Sequence, residues 1–199
     1  MTYPNINHLL AKYRLVLASG SPRRIDILTK DGIPFRQIVP DINEDNNSIM
    51  DPVELATHLA EEKAFAVSHM LSRDEIALGC DTIVILNKKI LGKPDSPAQA
   101  IEMLTSLSGN MHIVCSAIAL LKYDGRMVSG AELTDVYFKK LSSDQIEKYV
   151  ASGEPLDKAG AYGIQELGAF LVDRIIGNID NVTGLPMTLL ERLSAEIAG

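Results

Sequence analysis

Residues 15–28 read Leu15-Val-Leu-Ala-Ser19-Gly-Ser21-Pro22-Arg23-Arg24-Ile25-Asp-Ile-Leu28: an apolar run, a turn of small residues, then helical spacing opening on two arginines. The run predicts a strand and the spacing a helix. Ser21 suits the N-cap and Pro22 the first helical position, so the unpaired N–H groups of that first turn point beyond the strand end, where an anion is favoured. Arg23 and Arg24 add forked donors that match phosphate oxygens. A capped helix with two solvated arginines is the alternative, and charged company elsewhere in the chain must decide.

The 199 residues, 46% hydrophobic and 23% charged, suffice for a sizeable core and predict one domain over 1–199, with 1–14 as an N-terminal extension. A formal charge of −7 and a pI near 5.1 exclude a broad basic face, and so argue against nucleic-acid polymers and anionic membranes as partners. A phosphate ligand must then meet a local cationic cluster. Cys80 and Cys115 lie in apolar stretches without Cys-x-x-Cys spacing and read as buried thiols of a reducing compartment. The four histidines have no i, i+4 pairing, which argues against zinc. No apolar run reaches membrane-spanning length and the first residues lack signal-peptide order, so the expected location is cytoplasmic. A homodimer is compatible with the sequence but not fixed by it.

Apolar runs alternate with helical periods, predicting an α/β fold: a mixed sheet with flanking helices. Residues 34–42 read as a second strand ending in an acidic turn. A long helix follows Pro52, with Ala56, Leu59, Ala60, Ala64 and Val67 on one stripe. Residues 76–86 form a strand, or two joined, that turns at Asn87-Lys88. Ser96-Pro97-Ala98-Gln99 has the form of a capping box opening a helix through Leu104. Residues 111–121 and 127–138 read as a hairpin, 143–150 as a short helix, 170–176 as a last strand and 186–197 as a closing helix. The first dozen residues are a short helix or a loose tail. Residues 153–168 are too rich in glycine to be regular throughout, as functional loops often are.

Several residues stand out against this pattern. Asp81 interrupts the apolar run 76–86, where a carboxylate must be paired, bound to metal or opened to a cleft. It is a metal ligand or general base, or else an aspartate in a turn between two strands. Lys63 falls on the apolar stripe of its helix, facing an anion or snorkelling to water. Lys93, after Gly92, is held over a cleft or merely solvated. Glu44 follows a strand end, where α/β proteins place their ligand crevice. Glu44 and Asp81 together would supply two hard oxygen donors for Mg²⁺ or Mn²⁺, unless Glu44 simply faces solvent. In the loop, Lys158 can meet phosphate and the Gln165 amide can read a base edge, although a purely structural loop is also open. The chain has neither Gly-x-x-x-x-Gly-Lys-Ser/Thr nor Gly-x-Gly-x-x-Gly nor Gly-x-Ser-x-Gly, which removes P-loop, dinucleotide and nucleophile-elbow chemistry.

Seven blocks occur in one order: Ser19-x-Ser21-Pro22-Arg23-Arg24, Asp41-Ile-Asn-Glu44, Glu62-Lys63-Ala64, Asp81-Thr82-Ile-Val, Gly92-Lys93-Pro94, Glu132-x-Thr134-x-Val136-x-Phe138 and Gly153-Glu154-Pro155-x-Asp157-Lys158-Ala-Gly-Ala-Tyr-Gly-Ile-Gln165. In these the chain resembles the Maf family of nucleoside triphosphate pyrophosphatases. The resemblance implies a Maf/ITPase-like fold with a nucleotide-binding cleft. It also implies Mg²⁺- or Mn²⁺-assisted hydrolysis between the α and β phosphates, giving monophosphate and pyrophosphate. Asp81 matches the proton acceptor. Glu44, Lys63 and Lys93 match metal or phosphate contacts, and Arg23, Thr82 and Gln165 match positions linked to substrate choice; Ser19, Ser21, Arg24 and Lys158 are expected to bind substrate beside them. The loop is similar to that of the branch acting on dTTP and UTP. The alternatives are 7-methyl-GTP hydrolysis, or a nucleotide-binding regulator of septum formation without significant hydrolysis. Val114-Cys115-Ser116, Glu166 and Asn178-Ile179-Asp180 depart from the family pattern, the last two near the base-recognition loop.

Overall fold

A computed structural model of the protein describes residues 2–42 and 51–199. Among these, the helices are α1 (Pro4–Leu10), α2 (Pro22–Lys30), α3 (Pro52–Ala66), α4 (Pro97–Leu107), α5 (Ser143–Ala151), α6 (Ile179–Thr183) and α7 (Met187–Ala198). The strands are β1 (Arg14–Ala18), β2 (Phe35–Ile38), β3 (Glu75–Leu86), β4 (Lys89–Leu91), β5 (Met111–Lys122), β6 (Met127–Phe138) and β7 (Val172–Ile176). They form one sheet in the order β2-β1-β3-β5-β6-β7, with β4 paired to β3. Pairing is parallel for β2-β1-β3 and antiparallel for β3-β4 and β6-β7, the mixed α/β sheet expected. None of the described helices is long and apolar enough to cross a membrane.

The chain divides into two units, each with its own core. The first comprises Met1–Asp81, Ser116–Glu132 and Gly184–Gly199. Leu15 and Leu17 of β1, Ile76 and Leu78 of β3, and Ile118 and Leu120 of β5 pack with Leu28 of α2 and Leu190 and Leu193 of α7. The first dozen residues make a helix rather than a loose tail. Pro4 sets the first helical position, and the Glu191 carboxylate accepts from Asn5 N at 2.7 Å and Ile6 N at 2.9 Å, satisfying first-turn donors. Ile6 and Leu9 are then buried against the first core. β2 ends at Ile38, short of the expected residue 42, because Pro40 has no N–H to give the ladder.

The second unit comprises Thr82–Cys115 and Leu133–Thr183. Asn87 (φ 50) and Lys88 (φ 67) form the left-handed pair of a two-residue hairpin between β3 and β4. Ser96 Oγ caps α4 from Gln99 N at 3.2 Å, but the Gln99 side chain reaches Asp95 N, so the expected box is only half formed. A complete one opens α5 between Ser142 and Gln145. Val84, Leu104, Leu107, Val136, Phe138, Ile146 and Leu171 lie in this core. Residues 153–171 form three short 3-10 turns, Glu154–Asp157, Ala159–Ala161 and Glu166–Leu171, so the last strand starts at Val172 instead of residue 170.

Candidate active site

The small-residue turn leaves β1 where the parallel register pairs Ala18 with both Ile38 of β2 and Gly79 of β3. Ser19–Arg24 and Asp81 therefore both lie just past the last parallel pairing, beyond the carboxyl ends of β1 and β2 while β3 runs on, the usual place for a ligand crevice. α2 begins at Pro22 as expected, but the Ser21 hydroxyl does not close on its own helix. Instead Ser19 Oγ organises the turn, accepting from Ser21 N at 3.2 Å and from Arg24 Nη1 at 2.9 Å. Arg24 also gives Nε to Gly184 O at 2.9 Å and is buried, while Arg23, one residue earlier, is half-buried. The adjacent arginines thus have different surroundings: Arg24 braces the turn.

β3 is continuous through Asp81, which is no turn residue, and Asp81 is 6% exposed. Its Oδ1 accepts from Lys63 Nζ at 2.5 Å, both side chains being less than a tenth exposed. Gly79 makes this meeting possible. A Cβ there would stand 2.1 Å from Ala60 O and 2.7 Å from Ala64 N, so the backbones of α3 and β3 touch. Lys63, between those two alanines on the buried stripe, then reaches the strand. Cys80 is no rival nucleophile, since burial pushes its thiol up to about 11 and keeps it protonated near neutral pH. Cys80 and Cys115 are both fully buried, as their apolar stretches lead one to expect.

Thr82 heads the second unit. There the exposed Lys93 follows Gly92, whose carbonyl accepts from Gly160 N at 3.0 Å. That bond ties the Gly92-Lys93-Pro94 turn to the Gly-rich loop. Lys158 Nζ turns into its own loop, donating to Glu154 O at 2.6 Å and Asp157 Oδ1 at 2.8 Å. Tyr149 Oη donates to Glu154 Oε1 at 3.0 Å and accepts from Gly163 N at 3.1 Å; burial pushes its phenol pKa up, so the proton stays on oxygen. Gly168 has no room for a Cβ, which would lie 2.0 Å from Gly163 O. Gln165 is exposed beyond this braced segment.

Glu44 lies outside the described residues. Among the described ones, no group of three His, Cys, Asp or Glu side chains is placed to hold a metal ion. Mg²⁺ does not need such a cage, because it takes one or two carboxylates alongside substrate phosphates and water, so Asp81 suits it as a hard oxygen donor. Gly79, His112 and Tyr149 were not singled out in the sequence, and Tyr162 stood only as a letter of the loop motif. Only Gly79 carried a local signal, a lone glycine inside an apolar strand.

The family described as Maf-like protein matches residues 14–197. A dTTP/UTP pyrophosphatase of Desulfitobacterium hafniense is 47% identical over 186 residues, covering 90% of this chain and 84% of its own. Proteins of that same name from Bacillus cereus and Acetivibrio thermocellus are 45% and 44% identical, each alignment covering 90% of this chain and 93% of theirs. The solved structure of a dITP/XTP pyrophosphatase from Mycobacterium abscessus is similar with a TM-score of 0.40, at 15% identity over 64% of this chain and 75% of that one. The chain belongs to the Maf family.

Proposed function

We propose that this protein hydrolyses nucleoside triphosphates, dTTP and UTP foremost, to the monophosphate and pyrophosphate. The observation that carries the proposal is the buried Lys63–Asp81 pair beside the Ser19–Arg24 turn. The turn offers cationic donors and the pair a carboxylate, the two kinds of group that cutting a triphosphate calls on. The names of relatives 44–47% identical over 90% of the chain support the choice of nucleotide.

Asp81, its Oδ1 fixed by Lys63, orients a water and takes its proton as the oxygen attacks the α-phosphorus. The bond from that phosphorus to the bridging oxygen breaks, and pyrophosphate leaves with the electron pair. Arg23, Lys93 and the N–H groups at the start of α2 stabilise the charge on the departing group. Ser19, Ser21 and Arg24 shape the phosphate turn, Thr82 contacts the substrate, and Lys158 secures the loop that presents Gln165 to the base. Asp81, with Glu44, would hold Mg²⁺ or Mn²⁺. When bound, such an ion neutralises phosphate charge and makes water more acidic. Cys80 and Cys115 are buried and lack the spacing of a redox pair, which suits a reducing compartment and supports a cytoplasmic location.

Incubation with dTTP, UTP, CTP and 7-methyl-GTP, with Mg²⁺, Mn²⁺ or EDTA and with product identification, tests the proposal. Pyrophosphate and monophosphate should form from dTTP and UTP only when a cation is present. Binding without release would make the protein a regulator, and orthophosphate would make it a phosphomonoesterase.

A further inference from the structure

Ala161 has φ +58, a left-handed conformation that a residue with a Cβ adopts only where its surroundings impose it. It follows Gly160, also left-handed at φ +67, and it is fully buried. Upstream, the segment is held by Gly160 N on Gly92 O and by Ala161 N on Lys158 O, each at 3.0 Å. Downstream, the first hold is Tyr162. Its ring stands edge-on to Phe138 and His112, with centroids 4.8 and 5.3 Å away, and its Oη lies 2.7 Å from His112 Nε2.

His112 is an expensive choice for this place. It is 1% exposed, and Nδ1 has no hydrogen-bond partner among the described residues. A phenyl ring would fill the same space without an unsatisfied nitrogen. What imidazole adds is the bond to Tyr162. Burial lowers its pKa to about 4, so the ring stays neutral, and one tautomer or the other keeps the bond, at ordinary pH.

We propose that His112 is a positioning residue for base recognition: through Tyr162 it holds Ala161 in the left-handed conformation and so sets where Gln165 meets the nucleotide. This rests on the pyrophosphatase proposal above. Tyr162 precedes Gln165 by three residues, and Gly163 between them is tied to Tyr149 Oη, so a shift at Tyr162 has little slack to absorb it.

Two variants keep a ring in place while removing the bond, Tyr162→Phe and His112→Phe. Each should raise KM for UTP about tenfold, the loss of roughly one hydrogen bond, with kcat within about threefold, and should narrow the preference for UTP over 7-methyl-GTP. Adding Ala161→Gly to Tyr162→Phe should return most of the lost KM, because glycine takes a positive φ without strain. Lowered melting temperatures with KM unchanged, a fall in kcat alone, or no rescue by Ala161→Gly would each overturn the proposal. Amide hydrogen exchange at Gly163 and Gln165 without nucleotide judges the anchor independently: faster exchange in Tyr162→Phe supports it, and unchanged exchange overturns it. A wild type that binds no nucleotide and releases no pyrophosphate would instead end the pyrophosphatase proposal.

Discussion

Lys63 Nζ lies 2.5 Å from Asp81 Oδ1, inside a unit where both side chains are shielded from water. One member comes from a helix stripe that is otherwise apolar and the other from the middle of a buried strand. Each makes the other's burial tolerable, since an uncompensated charge in such a place is costly.

Replacing Lys63 by Met leaves Asp81 buried without its partner and should destabilise the protein by about 3–5 kcal/mol. Asp81→Asn should lower pyrophosphate release at least about a hundredfold, the scale of a lost general base. In a double-mutant cycle by urea denaturation, the Lys63→Met, Asp81→Asn protein should lose less stability than the two single losses added. Simple additivity would show that the pair is not coupled.

Gly79→Ala places a methyl group 2.1 Å from Ala60 O, on backbone that cannot swing aside. α3 must back away from β3, at about 1–3 kcal/mol of overpacking. Lys63 then loses its reach to Asp81. Activity should fall more steeply than the folded fraction at the assay temperature, which thermal melts and initial rates on one preparation will compare.

The adjacent arginines should separate experimentally. Arg24→Ala removes donors to Ser19 Oγ and Gly184 O, leaving buried acceptors short of a partner, and should cost about 1–3 kcal/mol of stability along with activity. Arg23→Ala, at a half-buried position, should cost less stability than Arg24→Ala while raising KM for the triphosphate. Equal losses of stability in both would contradict the division of labour.

Acid should act through His112. Its pKa is lowered from 6.5 to about 4 by burial, so the native state binds fewer protons than the unfolded chain between those values. The neutral ring's contribution is whole above pH 6.5 and shrinks as pH falls through 4, by up to about 3 kcal/mol. Relative to wild type, His112→Phe should therefore gain stability as pH drops across that window, read from denaturation midpoints at pH 7, 5.5 and 4.5. A constant difference would place the ionisation elsewhere.

Local features carried much of the fold. The β1-turn-α2 stretch, the α3 stripe and the 111–138 hairpin each have periodicity or turn chemistry within a dozen residues, and the structure follows them closely. Lys63 and Asp81 were visible as misfits, because a charge in an apolar pattern is conspicuous even when its partner is 18 residues away. Contacts between distant segments left no such trace. Arg24 turns to Gly184 across 160 residues and His112 to Tyr162 across 50, and neither partner disturbs a local pattern. Thr134 was legible only as a motif letter. In the structure, Asn181 Nδ2 donates to Thr134 Oγ1 at 2.9 Å and to Val114 O at 3.0 Å, a buried tie between β5, β6 and α6.

Hydrolysis of UTP in water enriched in ¹⁸O, followed by mass spectrometry of both products, tests the central claim most directly. Attack at the α-phosphorus, with Asp81 directing the water, puts the label in uridine monophosphate and leaves pyrophosphate unlabelled. Label in the pyrophosphate, or release of labelled orthophosphate, would contradict it.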